Sequence, residues 1–133
     1  MKTTKEGRSI EVPGVTHGSV PIPMGARVGN IIFSSGIMGK DPVSDTLPSD
    51  GLKQVYFVFE NLRSLLMHGG ASLRDVVHVK VFIKDNTLRD AINKEWVRAF
   101  PNHHDRPARH TLIYELQGGM LVQLEVVAVI TEK

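Results

Sequence analysis

The chain has 133 residues, no cysteine, and 16 Lys and Arg against 14 Asp and Glu, a formal net charge of +2. This length fits a single domain over 1–133 with one sizeable core, and the interspersed charges offer no basic patch to a nucleic acid. Without cysteine there are no disulfides, thiolate metal sites or cysteine nucleophiles, and no apolar run approaches the roughly 18 residues that a bilayer span needs, so a cytoplasmic protein is the default expectation.

In chain order, residues 1–8 read as a polar, frayed end. Residues 9–25, rich in proline and glycine, read as an irregular arm with at most one short strand near Ile10–Val12. Gly29-Asn30 is a turn signal leading into Ile31-Ile32-Phe33-Ser34-Ser35-Gly36, a β-branched and aromatic run that predicts a strand. Residues 39–50 form a loop. Val55, Val58, Phe59, Leu62, Leu65 and Leu66 recur at helical spacing and predict a helix over 51–69, closed by Gly69-Gly70. Val76–Ile83 predicts a half-buried strand, with Val77, Val79, Val81 and Ile83 on one face.

Asp85-Asn86-Thr87 caps a second helix over 87–99, where Leu88, Ile92, Trp96 and Phe100 recur every four residues before Pro101 stops it. Two strands follow, over 109–116 and 121–131, joined at Gly118-Gly119. The last becomes apolar on both faces, which suits a central position or packing against another subunit. The order β-β-α-β-α-β-β describes an α+β domain, a mixed β-sheet with two helices on one face. The uncovered face keeps Phe82, Val127 and Val129 and is a candidate oligomer interface.

Arg106-Pro107-Ala108-Arg109-His110-Thr111 and Gln123-Leu124-Glu125 carry the most chemistry. Arg109 starts a strand after a proline-stiffened loop. Its planar fork matches a carboxylate, although spacing alone also permits a surface pair with Asp105. Glu125, among apolar neighbours, reads either as a cross-strand salt bridge or as a desolvated general acid or base with a raised pKa. The expectation is that Arg109 lies near Glu125 at the edge of the sheet. Gly36 could let a backbone N–H approach a ligand. His103, His104, Asp105 and His110 match no metal-ligand spacing, and there is no phosphate-binding loop, so no metal and no cofactor are expected.

The ordered segments Gly29 through Gly36, Gln54 through Leu62, Gly70 through Val77, Lys80 through Asp85, Asn93, Arg106-Pro107-Ala108-Arg109 and Gln123 through Val129 resemble the Rid family of reactive-intermediate deaminases, also called the YjgF family and formerly described as L-PSP endoribonucleases. The resemblance covers about 20–131. It implies a chorismate-mutase-like homotrimer with a central β-barrel and a site in each cleft between subunits. It implies that Arg109 binds a substrate carboxylate, that Glu125 positions or activates water, and that Ser35, Gly36 and Asn93 line the pocket. The family's arm tyrosine is replaced by Ile22 and a cysteine by Thr111; Arg27, His17 and Met24 are further candidates for the wall.

The activity implied is hydrolytic deamination of small imine or enamine carboxylates to ammonia and a 2-keto acid. Two alternatives stay open: a deaminase of a larger unsaturated amino acid resembling 2-aminomuconate, and a non-catalytic carboxylate-binding or chaperone-like trimer. Partners are a small carboxylate and further copies of the chain, with no nucleic acid and no membrane.

Overall fold

The longest apolar periodicities become the helices and strands that organise everything else. In the computed structural model, which describes residues 7–131, α1 is Gly51–His68 and α2 is Arg89–Ala99. The strands are β1 (Ser9–Ile10), β2 (Gly25–Val28), β3 (Ile31–Ser34), β4 (Ile37–Met38), β5 (Val76–Ile83), β6 (Ala108–Ile113) and β7 (Val122–Val129). They form one mixed sheet in the order β1-β2-β3-β7-β5-β6, with β4 also pairing with β7. Only β5 and β6 run parallel.

The Asp50 carboxylate caps α1 by accepting from the Leu52 N–H at 3.0 Å. The six apolar positions of α1 are each no more than 1% exposed, and each such burial contributes about 1.5–3 kcal/mol. At its end Gly70 takes the left-handed φ of 83° that a side chain disfavours. Both helices cover the sheet face that carries Ile32, Val79, Val81, Leu124, Val126 and Ala128. The other face is open, and Val28, Ile31, Phe33 and Val77 are 46–66% exposed there. No helix among the described residues is long and apolar enough to cross a membrane.

Several expectations need correction. The arm carries one short strand, β1, as expected, but a further strand, β2, starts where the arm ends, and the strand expected over 31–36 breaks at Ser34, with β4 resuming at Ile37. Four strands therefore precede α1. α2 begins at Arg89, behind a 3₁₀ turn over Asn86–Leu88. β6 does not form a hairpin with β7. β5, α2 and β6 make a crossover unit, which forces β6 parallel to β5, and β7 pairs on the other side of β5.

A bulge at Val77 shifts the β5 register, so Val76 is buried and Val77 exposed, the reverse of strict alternation. The central position expected for the last strand is found: β7 lies between β3 and β5. Of the end expected to fray, residues 1–6 lie outside the described residues. At Arg8 the backbone already accepts from the Arg27 N–H at 2.9 Å.

Candidate functional site

Arg109 is placed by the register of β6. It sits beside Val79, on the helix-covered face. Its guanidinium carbon lies 5.2 Å from the centre of the Trp96 ring, and its Nε donates to Thr111 Oγ1 at 2.9 Å. These two anchors hold the fork and leave the terminal nitrogens without a partner among the described residues. Burial, and then the charge of Arg89, lower its pKa from the ordinary arginine value; it remains a cation at neutral pH. No carboxylate among the described residues pairs with it.

The alternative pairing with Asp105 is therefore not formed. Arg106 instead donates to the carbonyl of Phe100 at 2.7 Å, which folds the loop ahead of β6. On α2, Arg89, Asn93 and Trp96 fall at i, i+4 and i+7, one stripe of the helix. This stripe, with Arg109 and Thr111, makes a cationic shelf at the β6 edge. Asn93 stands exposed on it.

Glu125 belongs to a different place. It pairs in register with Lys80, while its neighbours Leu124 and Val126 turn into the core. It is exposed on the open face and, among the described residues, forms no ion pair; neither the expected salt bridge nor the expected desolvation is present within one chain.

Beside Glu125 the partner strand is interrupted between β3 and β4. Ser34 Oγ fills part of the gap by accepting from the Val126 N–H at 2.8 Å. Ser35 is tied to the arm: its N–H donates to the Met24 carbonyl at 2.8 Å and its hydroxyl to the Pro23 carbonyl at 2.7 Å. At Gly36 a Cβ would come within 2.8 Å of the Gln123 amide, so a glycine lets that side chain lie across the backbone. His17 Nε2 lies 3.2 Å from the Gly36 carbonyl and so carries the proton, which leaves Nδ1 buried with no partner among the described residues.

Ile22 is exposed on the arm next to Pro23. Met24 is core, 2% exposed, and Arg27 is committed to the carbonyls of Gly29 and Gly69; neither lines this shelf.

The structure thus gathers the expected residues into two groups and does not join them. Arg109, Thr111 and Asn93 lie on the helix-covered side. Ser35, Gly36 and Glu125 lie at the strand break and on the open face. β5 runs between β6 and β7, which separates them by two strand spacings, roughly 10 Å. Arg109 is level with Val79 and Glu125 with Lys80, and one step along a strand changes the face. The expected proximity of Arg109 and Glu125 does not occur within one chain.

Two surface clefts lie elsewhere, one of about 270 Å³ between Val77, Phe100 and Pro107, the other of about 510 Å³ between Met67 and Arg74. His103 and His104 stack with ring centres 4.0 Å apart, and His110 pairs with Lys80. No group of three His, Asp or Glu among the described residues could hold a metal ion.

Sequence reasoning missed Trp96 as more than core, Arg89 altogether, and Gln123 at Gly36. The helical spacing of Arg89 from Trp96 was available, but what it faced depended on the parallel placement of β6.

The family described as endoribonuclease L-PSP matches residues 22–130. The 3-aminoacrylate deaminase RutC of Acinetobacter baylyi is 32% identical over 91 residues, 68% of this chain and 71% of that protein. The crystal structure of RidA from an Antarctic Psychrobacter superposes with a TM-score of 0.84 at 27% identity, covering 92% of this chain and 99% of the other. Escherichia coli TdcF with bound serine superposes with a TM-score of 0.83 at 25% identity, covering 93% and 99%.

Proposed function

The chain belongs to the family described as endoribonuclease L-PSP, and we propose that within it this protein is a hydrolytic deaminase of small reactive imine or enamine carboxylates, acting without a cofactor. Arg109 carries this reading: a half-buried guanidinium, held from two sides, whose fork meets no anion among the described residues. A substrate carboxylate is the group that matches such a fork bidentately. Support also comes from the relatives, one named for deaminating 3-aminoacrylate and one solved with an amino acid bound.

Because Arg109 and Glu125 diverge within one chain, we place the complete site between copies. The open apolar face closes a trimer around a central barrel, and the cationic shelf of one subunit faces the Glu125 shelf of the next. Arg109 anchors the carboxylate, Thr111 holds Arg109, and Asn93, Ile22, Ser35 and Gly36 form the walls. An enamine first takes a proton on carbon to become the imine. Glu125 accepts a proton from water as its oxygen bonds to the imine carbon, and the nitrogen is protonated. Glu125 then returns its proton to the amino group of the carbinolamine, the hydroxyl proton is lost to solvent as the C=O bond forms, the C–N bond breaks, and ammonia and a 2-keto acid leave. Such imines also hydrolyse in water, so positioning and one proton transfer supply the acceleration required.

The test is ammonia release from imines generated in place by an amino-acid oxidase, compared with the uncatalysed rate. Acceleration that disappears in Arg109→Ala is the expected result. Acceleration untouched by that substitution refutes the mechanism, and carboxylate binding without turnover refutes the enzyme and leaves a binding protein.

A further inference from the structure

The four half-buried arginines of this chain divide into two kinds. Arg27 and Arg63 spend a terminal nitrogen on a protein oxygen, the Gly69 carbonyl at 2.8 Å and the Glu60 carboxylate at 2.7 Å. Arg89 and Arg109 do not. Each donates only through Nε, to a neutral side-chain oxygen, Asn86 Oδ1 at 3.1 Å and Thr111 Oγ1 at 2.9 Å. Each leaves its terminal nitrogens without a partner among the described residues.

Both belong to one shelf. Arg109 lies over Trp96, and Arg89 lies two helical turns before Trp96 on the same stripe of α2. Arg89 is also the first residue of α2, where the positive end of the helix already disfavours a cation. Asp90, beside it, forms no ion pair with it.

One carboxylate saturates one guanidinium fork. A monocarboxylate on Arg109 would leave Arg89 uncompensated at the same shelf. The geometry points to a second anion position at Arg89, so that the site takes a dicarboxylate, one carboxylate on Arg109 and the other on Arg89. The lowered pKa of Arg109, caused first by burial and then by the charge of Arg89, agrees with two cations set close enough to feel one another. This inference rests on the reading of Arg109 as the carboxylate anchor and adds the class of substrate that the anchor serves.

The probes are 2-oxoglutarate and 2-oxopentanoate, which have the same chain length and differ by the terminal carboxylate. Trp96 is the only tryptophan in the chain and lies under Arg109, so its fluorescence reports occupancy directly. The expected result is that 2-oxoglutarate binds about 10- to 100-fold more tightly, the worth of one charge-assisted contact. In Arg89→Gln the ratio of the two affinities falls close to one, and Arg89→Lys keeps part of the preference. Equal binding by the unaltered protein, binding of neither probe, or a preference that survives Arg89→Gln overturns the inference.

The same assay with the imines of glutamate and norvaline separates this inference from the deaminase reading. A dicarboxylate preference in binding with no ammonia released refutes the deaminase and keeps the second anion position. Equal turnover of both imines keeps the deaminase and refutes the second position.

Discussion

The cationic shelf on α2 and β6 and the acidic shelf on β7 are built by opposite means. Arg109 is fixed by side chains: an indole beneath it, a hydroxyl on its Nε, and a second guanidinium that repels it. Around Glu125 the backbone does the shaping, through a strand that stops at Ser34, resumes at Ile37, and is bridged by a serine hydroxyl and tied to the arm. The first shelf is partly dry, while Glu125 stands in water. A charge preorganised in a low dielectric binds strongly; an exposed carboxylate does not.

The sharpest way to break this comparison is Arg109→Ala. Truncating one side of a desolvated charge pair should lower kcat/KM for imine hydrolysis roughly 10²–10³-fold, with the circular dichroism spectrum unchanged. Glu125→Gln should act differently, lowering kcat about 10²-fold while KM stays nearly constant, because the role proposed for it is proton transfer and not anchorage. Equal effects on KM from both substitutions would erase the distinction between anchor and base.

A mixing experiment asks whether the two shelves meet between chains. Each variant alone should keep no more than about a hundredth of the activity, but refolded together Arg109→Ala and Glu125→Gln chains should regain about a quarter of the intact sites, those taking Arg109 from one variant and Glu125 from the other. No recovery would place both groups in one chain and contradict the divergence seen across β5.

The smallest effect is on stability. Folding lowers the Arg109 pKa through burial and Arg89, so the folded state disfavours the cation relative to the unfolded chain. For a base shifted in this direction the penalty is fully present below the folded pKa and is relieved only as pH rises through it. At neutral pH, Arg109→Met should therefore raise Tm slightly, by about 1–2 °C given the partial exposure, while Glu125→Gln leaves Tm unchanged in differential scanning calorimetry. A lower Tm for Arg109→Met would mean that the contact with Trp96 outweighs the charge penalty.

Much of the fold was legible because its longest elements carry the clearest periods. The stripe from Val55 to Leu66 specifies α1, Pro101 marks the end of α2, Asp85 caps the 3₁₀ turn that precedes it, and the alternation in β7 names both its faces correctly. β2 and β4 were not legible. Gly25-Ala26-Arg27-Val28 and Ile37-Met38 are too short to show a period, and they are strands only because neighbouring strands supply their hydrogen bonds. The reversal at Val76 and Val77 needs a bulge that composition does not announce.

At the site, residue types pointed to Arg109 and Glu125, but their relative placement did not follow. It depends on β6 running parallel to β5, a tertiary choice made by the crossover through α2. The same choice brings Trp96 under Arg109 and gives meaning to Arg89, which looked like any other helix-surface cation.

One consequence of the sheet order concerns biosynthesis. β7 is the last strand in the sequence, yet it is the one that joins β3 to β5. While the chain is being made, the β1-β2-β3 meander and the β5-α2-β6 crossover can each form, but both expose an unpaired inner edge until β7 leaves the ribosome. The nascent protein is therefore two incomplete sheets that share a missing strand, and the interval before β7 emerges is when it most needs protection from pairing with other chains.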